Sequence, residues 1–340
     1  MMKESCAAVT RRAAMAGAAA SLALGGARAE TAKTLLVTHA AALAHEMGPA
    51  HVERPERLRP VLRALDDSRF ASLARLDAPL ASTEALLRAH APEHVSRLVR
   101  AAPRDGYARL GPDVSMNGAT HEAALRAAGG ACAAVDALMR GEAKNAFVAM
   151  RPPGHHATRS EAMGFCFLNN AAVAALHARA AYGASRVAVV DFDVHHGNGV
   201  QEIFWNDKDA LYASTHQMPL YPGTGAANET GAHDNIVNAP LVKGDGGAQF
   251  REALASRILP RLDAFAPDLI IFCAGFDAHL HDPLGGLRFL EEDFRDVTLR
   301  VMEVAARRCG GRIVSLLEGG YRPDDLARSV AAHVGALMEA

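Results

Sequence analysis

The chain has 340 residues, of which 50% are hydrophobic and 22% are charged, with a formal net charge of −2 at pH 7. This is the composition of an ordinary globular protein, long enough for one large α/β domain or two smaller ones. A charge so close to neutral excludes the strongly basic surface of nucleic-acid-binding proteins. We therefore expect no nucleic acid among its partners.

Residues 1–29 predict an export signal and not a part of the fold. A basic start that includes Arg11 and Arg12 precedes a short Ala- and Gly-rich apolar run at 13–26, as in secretory signals. The run is too short to span a bilayer, and the paired arginines resemble a twin-arginine signal. We expect a single periplasmic domain at 30–340; an Ala-rich extension on a cytoplasmic protein is the alternative.

Short apolar segments alternate with amphipathic segments from residue 33 onward. The apolar segments predict strands at 33–38, 146–150, 186–191, 210–215, 268–273 and 312–317. The amphipathic segments predict helices at 55–66, 83–100, 119–140, 168–182, 248–265, 291–308 and 323–338. Strands that are apolar throughout favour an α/β protein with a mostly parallel sheet, covered by helices on both faces.

The cysteines show no pairing pattern. Beyond the signal region they stand singly in apolar surroundings, without a CxxC spacing: Cys132, Cys166, Cys273 and Cys309. We expect small core side chains and no disulfide framework.

Residues 187–199, VAVVDFDVHHGNG, are the most informative segment. A β-branched strand runs into two carboxylates and two imidazoles, and charges beside an apolar strand are costly unless something pairs them. Residues two apart in extended chain point the same way, so Asp193 and His195 offer an oxygen and a nitrogen to one point. Such donors suit a zinc-like cation; a polar loop whose side chains cap the next helix is the alternative.

Three more polar motifs follow predicted strands: RPPGHHA at 151–157, GFDAH at 275–279 and EGGY at 318–321. Ligands of open α/β sheets bind at the carboxyl ends of the strands, so the motifs are expected to converge. Asp277 then becomes a third metal ligand, which leaves an open position as in catalytic zinc sites. Its alternative role is that of a helix N-cap.

The other polar residues suit proton transfer and charge stabilisation. His155 and His156 are placed for general acid–base catalysis, with Asp191 and Asn198 as partners that fix each ring. The hydroxyl of Tyr321 is able to donate to a carbonyl oxygen as negative charge develops. A solvated histidine pair and a tyrosine that only packs are the alternatives. Together these groups predict hydrolysis of an amide.

Six motifs in this order resemble the histone deacetylase superfamily, closest to its class II-like and bacterial acetylpolyamine amidohydrolase branch. The motifs are RPPGHHA, GFCFLNNAA (164–172), DFDVHHGNG (191–199), YPGTG (221–225), GFDAHLHDPLGG (275–286) and EGGY. The resemblance runs from about Thr38 to near the C-terminus. It implies the three-layer α/β/α arginase–deacetylase fold and the removal of acetyl groups from amines.

The resemblance also implies a role for each matching residue. One zinc ion is expected on Asp193, His195 and Asp277. His156 is expected to act as general base and acid with Asn198 behind it, and His155 as electrostatic stabiliser with Asp191 behind it. Tyr321 is expected to polarise the carbonyl group. Aromatic walls of the substrate tunnel are expected from Phe165 and Tyr221, with Gly154 beside the substrate and Asp113 at the rim. A potassium ion is expected on Asp191, Asp193, His195 and Ser214.

One motif departs from the family. Relatives commonly read HPERPERL, whereas this chain has HVERPERL at 51–58 and lacks the first proline. We expect this change to affect an entrance loop and to leave the catalytic residues intact.

The leading hypothesis is a zinc-dependent amidohydrolase acting on a small acetylated amine such as an acetylpolyamine, and homo-oligomers are possible. Deacetylation of protein acetyl-lysine is the alternative, favoured if the chain is not exported. A two-metal ureohydrolase requires more bridging carboxylates than these motifs supply. A non-catalytic protein that only binds acylated amines is a remote alternative, opposed by the complete set of His155, His156 and Tyr321.

Overall fold

The computed structural model describes residues 33–339, whose strands form two sheets. The strands are β1 (Leu35–Thr38), β2 (Ala74–Asp77), β3 (Ala108–Arg109), β4 (Ser115–Met116), β5 (Asn145–Val148), β6 (Val187–Asp191), β7 (Ala210–Gln217), β8 (Ile236–Leu241), β9 (Leu269–Ala274) and β10 (Ile313–Leu317). The main sheet has the order β2-β1-β5-β10-β9-β6-β7-β8, with parallel pairing throughout. Strands β3 and β4 form a small antiparallel pair.

Ten α-helices surround the sheet within the described residues. They are α1 (Leu58–Leu65), α2 (Thr83–Ala89), α3 (Pro92–Ala101), α4 (Thr120–Met139), α5 (Asn170–Tyr182), α6 (Asn198–Phe204), α7 (Gly247–Ala253), α8 (Leu259–Phe265), α9 (Glu291–Cys309) and α10 (Pro323–Leu337). Helices α2 and α4 both contact α5, whereas α1 and α9 both contact α10 and form a second group. The result is the predicted three-layer α/β/α fold.

All six predicted strands are present, with bounds that differ by one or two residues. The exceptions to the predicted pattern have local causes. The predicted helix 83–100 is wrong as one element, because Ala91 is extended before Pro92 and the chain starts a new helix there. The predicted helix 248–265 is interrupted by a π-helical turn at Leu254–Ile258.

The structure tests the prediction about the cysteines but does not describe the residues of the predicted export signal. The cysteines at 132, 166, 273 and 309 are buried and free, as predicted. No helix between residues 33 and 339 is long and apolar enough to cross a membrane. The predicted export signal at 1–29 lies outside the described residues.

The strand order explains why distant motifs meet. Strands β5, β10, β9 and β6 are consecutive neighbours in the sheet, and each precedes one of the four polar motifs. In the register of the central pairs, Asp191 lies opposite Cys273, and Leu317 lies opposite Ala274. Because parallel strands end at the same edge, the four motifs form one surface at their carboxyl ends.

A buried histidine in the connection between α2 and α3 makes stability depend on pH. Nδ1 of His90 lies 3.0 Å from the carbonyl oxygen of Thr158, and Nε2 accepts from the backbone N–H of Asn169 at 2.9 Å. This arrangement requires a neutral ring. Burial, together with the neighbouring His94, lowers the pKa of His90 from 6.5 to about 4.

We expect acid to destabilise the protein through this residue. Below pH 6.5 His90 takes up a proton in the unfolded chain, whereas in the folded chain it stays neutral down to about pH 4. The free energy of unfolding therefore falls across that window, by about 2 kcal/mol between pH 7 and pH 5. In His90→Gln the amide is able to donate and accept in the same places without titrating. Urea unfolding of both proteins at the two pH values measures the difference, and equal losses would contradict the assignment.

Candidate active site

Asp193, His195 and Asp277 converge at the carboxyl ends of β6 and β9. One potential ligand atom from each lies within 4.8 Å of the other two. Nδ1 of His195 is 3.0 Å from Oδ1 of Asp193 and 3.2 Å from Oδ2 of Asp277. All three side chains are buried. The structure thus brings together the three residues that the sequence proposes as metal ligands.

Backbone donors and glycines hold the two carboxylates. Oδ2 of Asp193 accepts from the N–H of Gly319 at 2.8 Å, and Oδ1 of Asp277 accepts from the N–H of Val194 at 2.8 Å. A Cβ atom at Gly275 would lie 2.0 Å from Oδ2 of Asp193, and one at Gly319 would lie 2.0 Å from Oδ2 of Asp277. Only glycine therefore permits the close approach of these carboxylates.

The donor set fits a divalent cation. Burial and the nearby Asp193 raise the pKa of Asp277 above its ordinary value, since two carboxylates crowded together in a dry place repel each other. A bound cation removes that repulsion. One imidazole nitrogen and two carboxylate oxygens are ligands of zinc in catalytic sites, which keep further positions open.

His155 belongs to a charged pair behind this cluster. Its Nδ1 is 3.0 Å from Oδ2 of Asp191, which also accepts from the hydroxyl of Tyr212 at 2.9 Å. Burial alone would lower the pKa of His155, but Asp191 and Asp193 outweigh burial and raise it to about 10. The ring therefore carries a positive charge.

His156 is held in the opposite state. Its Nδ1 lies 2.8 Å from Oδ1 of Asn198, whose amide nitrogen points instead to the carbonyl oxygen of His156 and the sulfur of Met163. Since Oδ1 only accepts, Nδ1 must carry the proton and Nε2 keeps a free lone pair. Burial, then the neighbouring His155 and His195, lower the pKa of His156 well below its ordinary value.

A cavity of about 300 Å³ leads to these groups. Its lining includes one residue of the metal cluster, the proton-transfer residue and aromatic walls: His195, His156, Phe165, Tyr221, Tyr321, Asp113, Gly164, Leu220 and Leu284. Phe165 has a positive φ of 67°, a conformation that costs about 1–3 kcal/mol in non-glycine residues. A Cβ atom at Gly164 would lie 2.2 Å from the ring of His156.

Asp113 and Gly154 take different places. Oδ2 of Asp113 accepts from the N–H of Gly164 at 2.9 Å, and the residue lines both this cavity and a second one of about 520 Å³. Tyr221 also lines both, and burial together with Asp113 raises the pKa of its phenol. Gly154 is fully buried and lies outside the cavity lining; its N–H donates to Glu318 at 2.6 Å.

Tyr321 also lines the cavity. Its ring lies under the guanidinium of Arg57, whose Cζ is 4.5 Å from the ring centroid, and 6.0 Å from the ring of Phe165. Its backbone N–H donates to Oδ2 of Asp282 at 2.6 Å. Both the ring and the backbone of the tyrosine are thus held in place.

The sequence-based interpretation missed Arg57 and its partners. Arg57 is fully buried and donates to the carbonyl oxygens of Gly320 and Glu318, each at 2.6 Å. Its charge is paired with Glu53 at 2.9 Å, and Glu53 also pairs with Arg151. This network holds the EGGY turn in place through its backbone carbonyl groups. The signal was present in the HVERPERL segment, but alternating charges there also suit a solvated helix face.

Glu318 is a second residue that the motif contained without an assigned role. Oε2 accepts from the N–H groups of Gly154 and His155 at 2.6 and 3.2 Å. Burial raises its pKa to about 7, against the opposing effect of His155. The side chain therefore ties the RPPGHHA turn to the EGGY turn.

Ser214 lies where the register of β6 and β7 predicts, directly opposite Asp191. It is fully buried, and its hydroxyl is 2.9 Å from Nδ1 of His216. The residues named for potassium are therefore neighbours in the fold.

Comparison with known proteins identifies the family of the chain. The histone deacetylase domain model matches residues 51–337. The chain is 42% identical over 276 residues to the histone deacetylase-like amidohydrolase of Pseudomonas aeruginosa, covering 80% of this chain and 72% of the relative. It is 38% identical to a probable deacetylase of Archaeoglobus fulgidus, covering 85% and 81%. The crystal structure of the HDA15 HD domain superposes with a TM-score of 0.86 at 36% identity, covering 91% of this chain and 89% of that one.

The parallel sheet and the polar groups at its carboxyl edge define an α/β enzyme of the deacetylase class. The chain belongs to the histone deacetylase family.

Proposed function

We propose that this protein is a zinc-dependent amidohydrolase that removes acetyl groups from acetylated amines. The observation that carries the proposal is a cluster of three potential metal ligands at one cavity, which His195 of that cluster lines together with His156, with its free Nε2, and Tyr321. Removing any one of these parts would leave amide hydrolysis incomplete.

Asp193, His195 and Asp277 are the residues that would hold the metal. A zinc ion bound there supplies a Lewis acid that polarises a carbonyl and activates water. Nε2 of His156 accepts the proton of the attacking water and later donates it to the leaving amine, because Asn198 keeps the proton of the ring on Nδ1. His155, charged beside Asp191, offsets negative charge that develops nearby.

The cavity walls complete the arrangement. The hydroxyl of Tyr321 donates to the carbonyl oxygen as it gains charge. Phe165 and Tyr221 face the acetylated arm and exclude water from it. Gly154 acts through backbone support, since its N–H holds Glu318.

A small acetylated amine with a second cationic group is the substrate that we propose. The second cavity, which shares Asp113 and Tyr221 with the first, is also lined by Glu161 and Arg97. Its two acidic side chains outnumber the one arginine, and this excess of negative charge favours a polyamine chain over a neutral amide. Protein acetyl-lysine is the second candidate, because Asp113 is equally able to accept from a peptide N–H. Export to the periplasm, proposed from residues 1–29, favours the small amine.

Potassium is proposed as a second, structural cation near Asp191 and Ser214. Their alignment on adjacent strands supports this placement.

The test is hydrolysis by the purified zinc-loaded protein, comparing acetylputrescine and acetylspermidine with an acetyl-lysine peptide. A higher kcat/KM for the polyamines is expected, and Asp113→Asn is expected to raise KM for them. Preference for the peptide would overturn the substrate assignment and weaken the case for export. His156→Ala is the control, since it should abolish turnover with zinc retained; hydrolysis of no acetylated amine would overturn the proposed activity.

A further inference from the structure

A second cluster of potential metal ligands lies at the surface end of the GFDAHLHDPLGG motif. It consists of His279, His281 and Asp325, and one ligand atom from each lies within 4.8 Å of the other two. None of the three belongs to the catalytic cavity lining. We propose that this cluster is a second site for a divalent transition-metal ion of the zinc type, with a structural role.

The geometry directs two imidazoles at one carboxylate oxygen. Oδ2 of Asp325 lies 3.3 Å from Nδ1 of His281 and 3.9 Å from Nδ1 of His279. His279 is 97% buried and fixed by backbone bonds on both sides, with its N–H donating to Phe276 and its carbonyl accepting from Asp282. Nδ1 of His279 accepts a long hydrogen bond from the backbone N–H of His281 at 3.3 Å, which a metal ion bound at Nδ1 would replace.

An unpartnered nitrogen supports the proposal independently. Nε2 of His279 is buried and makes no hydrogen bond within residues 33–339, although a buried N–H without a partner is costly. It faces Oε2 of Glu291 at 3.8 Å. Histidines that bind metals through one nitrogen commonly direct the other N–H at a carboxylate. A small movement of the His279 ring toward Glu291 would give its Nε2–H a hydrogen-bond acceptor.

Arg328 organises the acidic side of the cluster. It donates to Oε1 of Glu291 at 2.7 Å and to Oδ1 of Asp325. The other oxygen of each carboxylate is then left facing the histidines. Arg322, at 3.9 Å from Oδ2 of Asp325, is 67% exposed and is able to move into solvent at little cost.

The chemistry defines the class of ion. Two imidazole nitrogens and one carboxylate oxygen suit zinc, cobalt or nickel, and disfavour calcium and magnesium, which take oxygen ligands. His281 is 58% exposed, so the ion enters from solvent and keeps water in its remaining positions.

Such an ion would join two segments of the active site. His279 follows Asp277 closely in the chain, and Asp325 follows Tyr321 at the start of α10. These segments already meet where Tyr321 donates to Asp282. A metal ion bound by His279, His281 and Asp325 would link the same two segments a second time and would stabilise the folded state.

Zinc content after equilibrium dialysis against zinc measures the site directly. Wild type is expected to hold two zinc ions per chain and His281→Ala one. Asp277→Asn should lose the catalytic ion and keep the second. His233→Ala, at another exposed histidine outside the cluster, is the matched control and should retain both.

A second readout does not depend on activity. In the Asp277→Asn background zinc should raise Tm, and adding His281→Ala should remove that rise. One zinc ion per wild-type chain, or equal content in wild type and His281→Ala, would overturn the second site. If wild type holds a single ion and Asp277→Asn loses that ion, the proposed catalytic function stands and only the second site is overturned.

Discussion

Tyr321→Phe is expected to lower kcat by about 10²–10³-fold with little change in zinc content. Tyr321 lines the catalytic cavity, and its ring contacts Arg57 and Phe165. The substitution therefore removes the donor and keeps the packing. Steady-state kinetics on the preferred acetylated amine, with zinc measured on the same sample, provide the check.

Tyr221→Phe is the matched control, because it removes the other tyrosine hydroxyl from the same cavity. Its phenol is influenced by Asp113 at the rim, so its loss should act mainly on KM. A Tyr321→Phe enzyme with kcat within about twofold of wild type would remove the tyrosine from the charge-stabilising role, since a lost oxyanion donor costs far more.

The convergence of the motifs was predictable because it depends on local patterns. Strands β5, β6, β9 and β10 are buried along their whole length and read as apolar runs. Each is followed at once by its polar motif, so locating the strand also locates the chemistry. Parallel topology then requires the motifs to share one edge.

The two missed strands of the main sheet carry no such pattern. Strand β2 has the sequence ARLD, whose apolar–polar alternation covers only four residues, all of them half-buried or exposed. Strand β8 contains Pro240 and lies at the sheet edge, where proline is tolerated. Both are the outermost strands and are defined by pairing with a neighbour.

The supporting residues were beyond sequence reasoning for a related reason. Arg57 acts on carbonyl oxygens that lie more than 260 residues further along the chain. Its charged neighbours Arg54 and Glu56 are exposed, so the segment suggests a solvated surface, and only tertiary contacts bury Arg57 and Glu53. Ligands can be recognised by residue type and spacing, whereas the groups that position them depend on tertiary contacts.

Arg57→Met is expected to destabilise the fold and to impair catalysis by separate routes. The substitution leaves two buried carbonyl oxygens without a donor and removes one partner of Glu53. Breaking a buried ion pair costs about 3–5 kcal/mol in the free energy of unfolding. The EGGY turn would also lose its anchor, and a tyrosine displaced by about 1 Å would lower kcat by about 10²-fold.

Two variants separate positioning from stability. Arg54→Met removes a neighbouring arginine that is 50% exposed and pairs with Glu56 only at 4.0 Å, so stability should change by less than about 0.5 kcal/mol. Arg57→Lys keeps the charge but reaches fewer acceptors, and both stability and kcat should be intermediate.

Kinetics are measured well below the Tm of each variant, where all molecules are folded. If kcat of folded Arg57→Met equals that of wild type, the guanidinium only stabilises the fold. A lower kcat with unchanged zinc and KM would instead make Arg57 the residue that positions Tyr321, because substrate binding and metal binding would both be intact.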